Sequence, residues 1–135
     1  MAFTHGKNTS VTVNGTDISQ YTSSSELGRS TDTHDVSAYG NMSKHYIGGL
    51  TDSTFSCEGH YDNTASTGPR AVLLAIQDGS AVPIIRQGEG AGSGLPQDSF
   101  NAICTSYVET NPVADKVSWS ADFQVSGDVD TTPQA

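Results

Sequence analysis

Between Lys116 and Ser126, Val117, Trp119, Ala121, Phe123 and Val125 alternate with Ser118, Ser120, Asp122 and Gln124. A period of two is the mark of an extended strand with one face in a core and the other in water; on a helix the same side chains would scatter around the circumference. Trp119, the single tryptophan, should anchor that core, with its indole N–H bonded to a neighbour. The same period runs through Gly48 to Asp62. Phe55, Cys57, Gly59 and Tyr61 fall on one side, and Thr54, Ser56, Glu58 and His60 on the other. Asp62-Asn63 then opens a loop, since both side chains can bond nearby backbone.

The remaining elements follow from turns and breakers. Ser10–Val13 is a short strand, and Asn14-Gly15 predicts a tight hairpin because both residues tolerate positive φ. The returning strand is Thr16–Ser19, extending towards Leu27. Thr67-Gly68-Pro69 leads into a predicted helix over 70–78, with Val72, Leu73 and Ile76 on its apolar side and Gly79 just past its end. Residues 81–86 form a strand, placed at an edge because Pro83 has no N–H to give to a ladder. Residues 100–109 carry apolar groups on both faces, which suggests a central strand. Strands joined by turns make a mainly β, antiparallel sandwich or partly open barrel with one short flanking α-helix. Core anchors are Phe55, Tyr61, Leu73, Ile76, Trp119 and Phe123.

The 135 residues suit one domain, but only 34% are hydrophobic, and the core should be thin, a weakness often relieved by oligomerisation. The net charge of −9 argues against ordinary nucleic-acid binding, which needs cations to displace counterions, and against an anionic membrane surface. No leader-like apolar run opens the sequence, and none reaches membrane-spanning length. Cys57 and Cys104 both sit in strand-like segments and are read as buried free thiols, bridged only if their strands are neighbours.

Searches for chemistry return little. The Gly88–Gly94 run leads into Leu95-Pro96 and a strand instead of a helix, and Glu89 would repel phosphate. His5, His34, His45 and His60 are scattered, and two cysteines alone do not make a structural zinc site. Neither a calcium loop nor a nucleophile elbow is present. No catalytic residue, cofactor or metal is expected.

Three features do not suit a simple monomer: the thin core, a polar N-terminal arm over 1–8, and a long polar stretch over 28–49 that reads as an extended loop or ribbon standing off the body. A mobile acidic tail is expected over 127–135. A self-associating β-protein would use such features, leaving strand edges to pair with copies of itself.

The order Asp17-Ile18-Ser19-Gln20-Tyr21, Ser25-Glu26-Leu27, Asp35-Val36-Ser37-Ala38-Tyr39-Gly40, Ile47-Gly48-Gly49-Leu50-Thr51-Asp52-Ser53-Thr54-Phe55 and Gly59-His60-Tyr61-Asp62 resembles the major tail (tail tube) proteins of long-tailed bacteriophages. The second half is similar in element order. The resemblance implies a virion structural protein, assembled in the host cytoplasm into stacked hexameric rings. The sheets of each ring would join into one barrel around a lumen for DNA. Tape measure, tail tip and terminator proteins are implied partners. Related tubes serve contractile tails and injection machines.

Carried onto this chain, the ring-stacking loop would hold Arg29, Asp32, His34, Asp35, Asn41, Lys44 and His45. Candidate lumen-facing acids are Asp32, Asp35, Glu58 and Asp62, which would repel DNA phosphates and let DNA slide. A monomeric β-sandwich module binding carbohydrate or a virion protein is the second reading. A small hydrolase with a carboxylate pair assembled in space is the third.

Overall fold

The computed structural model describes residues 9–62 and 68–134; the expected arm over 1–8 lies outside them. The elements are β1 (Ser10–Val13), β2 (Thr16–Asp17), a 3-10 turn (Ser19–Tyr21), β3 (Thr22–Asp35), β4 (Tyr46–His60), α1 (Pro69–Leu74), β5 (Ala81–Gln87), β6 (Asp98–Thr110) and β7 (Ser118–Asp130). All seven strands form one antiparallel sheet in the order β2-β1-β5-β6-β7-β4-β3, which does not close.

Period-two patterning places the core. Trp119, Ala121, Phe123 and Val125 of β7, Phe55 and Cys57 of β4, and Phe100, Ala102 and Cys104 of β6 are all buried on one face. The sheet curls around them. The rings of Phe55 and Phe100 lie 5.4 Å apart although β7 runs between their strands. Trp119 donates its indole N–H to Tyr21 O at 3.2 Å and His60 O at 3.1 Å, knitting the start of β3 to the end of β4. Gly59 makes that approach possible, because a Cβ there would fall on Tyr21 O and come within 2.8 Å of Thr22 Cα. Of the expected anchors, Phe55, Leu73, Ile76, Trp119 and Phe123 are buried, whereas Tyr61 is half-buried.

Asn14 (φ 50°) and Gly15 (φ 84°) make the expected tight turn. The strand after it stops at Asp17, earlier than expected. The Asp17 carboxylate accepts Ser19 N–H at 2.8 Å, and this local bond turns the chain while burying Ile18.

The helix is shorter than the predicted 70–78. It starts at Pro69, and beyond Leu74 the bonds tighten to i−3, Ile76 N to Leu73 O and Gln77 N to Leu74 O. Gly79, at φ 88°, follows. Pro83 is not on an edge strand, since β5 lies between β1 and β6. Its carbonyl accepts Asn14 N–H at 2.8 Å. Its ring nitrogen therefore faces the turn beyond the end of β1, where no ladder bond is lost. The tail expected from Gly127 also differs: β7 continues to Asp130, and Gln134 exchanges backbone bonds with Gly94 and Leu95.

Cys57 and Cys104 are buried free thiols on β4 and β6, the two strands flanking β7. Two strand spacings of about 4.8 Å set their backbones beyond disulfide reach.

Candidate functional site

The face of the sheet opposite the core is polar, and the register shows how it is built. Glu26, Ser56, Asp122 and Ser106 form one row across β3, β4, β7 and β6. Ser24, Glu58, Ser120 and Val108 form the next. Gly28, Thr54, Gln124 and Ile103 form the row on the other side. Two shallow depressions on this face are lined by Ser24, Glu26, Thr54, Ser56, Glu58, Thr105, Asp122 and their neighbours, with no Lys or Arg among them. Three carboxylates thus surround Ser56 on an open surface of small side chains. Among the described residues no group of three or more His, Cys, Asp and Glu could hold a metal ion.

Of the acids expected here, only Glu58 lies on this face. Asp32 and Asp35 lie far along β3, and Asp62 follows the end of β4. Glu26 and Asp122, which join Glu58, were not among the candidates. Their signal is parity: Glu26 precedes core-packed Leu27, and Asp122 lies between buried Ala121 and Phe123.

The second feature is the hairpin that leaves the body. β3 and β4 stay paired from Leu27↔Phe55 out to Asp35↔Tyr46, so residues 28–49 are a regular two-stranded ribbon with a connection at 36–45. Arg29, Asp32, His34 and Asp35 lie on β3; Asn41, Lys44 and His45 lie in the connection; all are exposed. The tip is closed by local bonds. Val36 N–H donates to His45 O at 2.8 Å, and His45 N–H donates to Ser37 Oγ at 2.7 Å. Asp35 accepts Ser37 N–H at 2.8 Å, and that bond, with help from the Ser37 hydroxyl, holds its pKa below the ordinary value.

The root of the ribbon is tied to the body. Arg29 donates to Asp98 at 2.6 Å, and Arg86 of β5 reaches the other oxygen of Asp98 at 3.3 Å. Gln124 donates to Asp52 at 2.7 Å and to Ser53 O at 3.1 Å. Beyond this root the ribbon carries exposed Val36, Tyr39, Met42, Tyr46, Ile47 and Leu50; Tyr39 and Met42 are fully exposed. Among the described residues, no strand pairs with the outer edge of β3.

This arrangement, an open curled sheet with a flanking helix and a long β3–β4 hairpin, is the fold of tail tube chains from phages and phage-like particles. A chain in the virion of a native gene transfer agent particle superposes with a TM-score of 0.79 at 15% identity, over 96% of this chain and 99% of that one. A chain in the tail of an empty gene transfer agent particle, computed with C6 symmetry, gives 0.68 at 16% identity over 83% and 82%. A chain of the SPP1 tail tube gives 0.75 at 13% identity over 98% and 81%. No protein-family model matches the chain, and no curated protein matches it in sequence. The likeness is therefore one of fold. Among the described residues no helix is long and apolar enough to cross a membrane.

Proposed function

We propose that this chain is the tube-forming subunit of a phage-type tail, assembled in the host cytoplasm into stacked hexameric rings that conduct DNA. The observation that carries the reading is the outer edge of β3. It is fourteen residues long, contains no Lys or Pro, and is unpaired among the described residues. Soluble monomers blunt such edges with charge, proline or brevity, because a bare edge templates pairing with another chain. A second copy paired there extends the sheet, and repetition around an axis closes a barrel and removes the edge. The sixfold number is supported by the C6 symmetry of the similar gene transfer agent tail.

In that barrel the polar face of β3, β4, β7 and β6 lines the lumen. Glu26, Glu58 and Asp122 present negative charge with no neighbouring cation among the lining residues. Phosphates are repelled, and DNA passes without sticking. Asp32 and Asp35 belong to the ribbon, which bridges successive rings. Tape measure and terminator proteins would meet the ends of the tube. The reading assigns no catalytic residue and no cofactor.

Purified protein is tested by solution mass over a concentration range and by negative-stain electron microscopy. Rings or tubes with a central channel are expected; a strict monomer at high concentration would instead favour a binding module. Replacing residues 31–51 by Asn-Gly joins the Ser30↔Asp52 pair through a two-residue turn. That variant should keep the β-rich circular dichroism spectrum and lose stacking. If it unfolds, the ribbon belongs to the folding core.

A further inference from the structure

Among the described residues, large exposed apolar side chains fall into two groups. Val36, Tyr39, Met42, Tyr46, Ile47 and Leu50 lie on the ribbon. Val108, Val113 and Leu74 lie elsewhere, and the first two mark the opposite end of the sheet. Val108 is near the end of β6, and Val113 is in the connection between Thr110 and Ser118, which are paired. Ser118 is also opposite His60, and Gly59 is opposite Thr22, so the start of β3, the end of β4 and the 111–117 loop share that end. A depression of about 350 Å³ opens there, with Gly59, Thr110, Pro112, Asp115, Lys116 and Ser118 in its lining.

Charge distinguishes the two ends. The chain has 15 acids against 6 Lys and Arg, yet the connection 36–45 contains Lys44 and no acid. The depression contributes Glu58 and Asp115 against Lys116. Two copies of so acidic a chain repel over most of their surfaces, and this end-to-end approach is one that charge favours. Reach agrees. β4 runs from Thr54 back to Tyr46 while β7 runs on from Gln124 to Asp130, so the 36–45 connection is what stands past the body. With side-by-side pairing through β3, strand ends are the surfaces left for stacking.

We propose that the 36–45 tip of one copy seats in the depression at the opposite end of a second copy, with Tyr39 and Met42 against Pro112 and Val113, and Lys44 facing Asp115. This inference rests on the tube reading and adds its receptor. The contact is heterologous, head to tail, and so propagates without closing on itself.

Cysteine cross-linking tests it, with electron microscopy reporting tube formation in the same samples. All sites used are exposed, whereas Cys57 and Cys104 are buried, so the unmodified chain is the blank. Met42→Cys mixed with Val113→Cys should give a covalent dimer on oxidation, and the double variant a ladder of higher multimers. Dimers from Met42→Cys alone would mean tip-to-tip pairing and would overturn the proposal. Tubes without cross-links would place the receptor elsewhere while leaving the tube reading intact. Neither tubes nor cross-links would remove both. Lys44→Glu should raise the concentration needed for tubes roughly two- to fivefold, the scale of one exposed ion pair. Adding Asp115→Lys should reverse that rise, and failure to reverse it counts against the pairing.

Discussion

β3 and β4 each belong to two different regions. From Thr54 to His60, β4 lies between β3 and β7 and alternates between buried and open positions. From Tyr46 to Ser53 the same strand pairs only with β3, and both of its faces are open. The backbone is the same; what changes is whether the chain supplies something to cover one face. A two-stranded ribbon with nothing packed on it is marginal in water. The ribbon here is kept by its tip bonds, by its tie to Asp98 and Gln124, and by what it meets on assembly.

The contrast breaks first in the body. Trp119→Ala removes the largest buried side chain and leaves two carbonyls without their donor. It should cost about 3–5 kcal/mol in urea unfolding, by the usual scale for aromatic truncation in a core. Gly59→Ala forces β4 away from Tyr21 and should cost about 1–3 kcal/mol, as overpacking does. Neither Gly48 nor Gly40 has a neighbour within 4 Å of an added Cβ. Alanine at Gly48, where φ is not positive, should leave the unfolding midpoint unchanged.

High pH sharpens the same contrast. Burial, with smaller contributions from Cys104 and Asp122, pushes the Cys57 thiol from 9.0 to about 12. The folded value lies above the unfolded one, so the contribution is complete below pH 9 and is lost as pH rises towards 12. The loss is at most about 1.4 kcal/mol per pH unit. Tyr107, raised mainly by desolvation and then by its bond to Glu109, acts in the same direction above pH 10. Unfolding midpoints measured from pH 8 to 11 should fall, and Cys57→Ala should flatten the part below pH 10. At the ribbon tip, Tyr39→Ser with Met42→Ser should change monomer stability by less than about 0.5 kcal/mol, as exposed substitutions do. The same variant should lose most tube formation in electron microscopy.

The body was readable from sequence because its information is local. Trp119, Phe123 and Val125 announce a buried face by period alone, and Asn14-Gly15 announces its turn. Pro83 misled because its tolerance depends on where β1 stops, a pairing between segments distant in sequence. Asp98 was unreadable for the same reason, since its partners come from β3 and β5. Glu26 and Asp122 could have been found by extending the alternation to polar positions. Regular pairing of Thr31 to Asp35 with β4 left no apolar trace, because both faces of that ribbon are open. The docking of Gln134 follows from free backbone groups in the 90–96 loop, which composition does not reveal.

Hydrogen exchange of the dilute monomer and of the assembled tube tests the account most directly. In the monomer, amides of 28–35 and 46–53 should exchange far faster than those of 55–60. On assembly they should slow towards the body's rate, with the outer edge of β3 gaining protection along its length. A ribbon already as protected as the body in the monomer, or still unprotected in the tube, would contradict it.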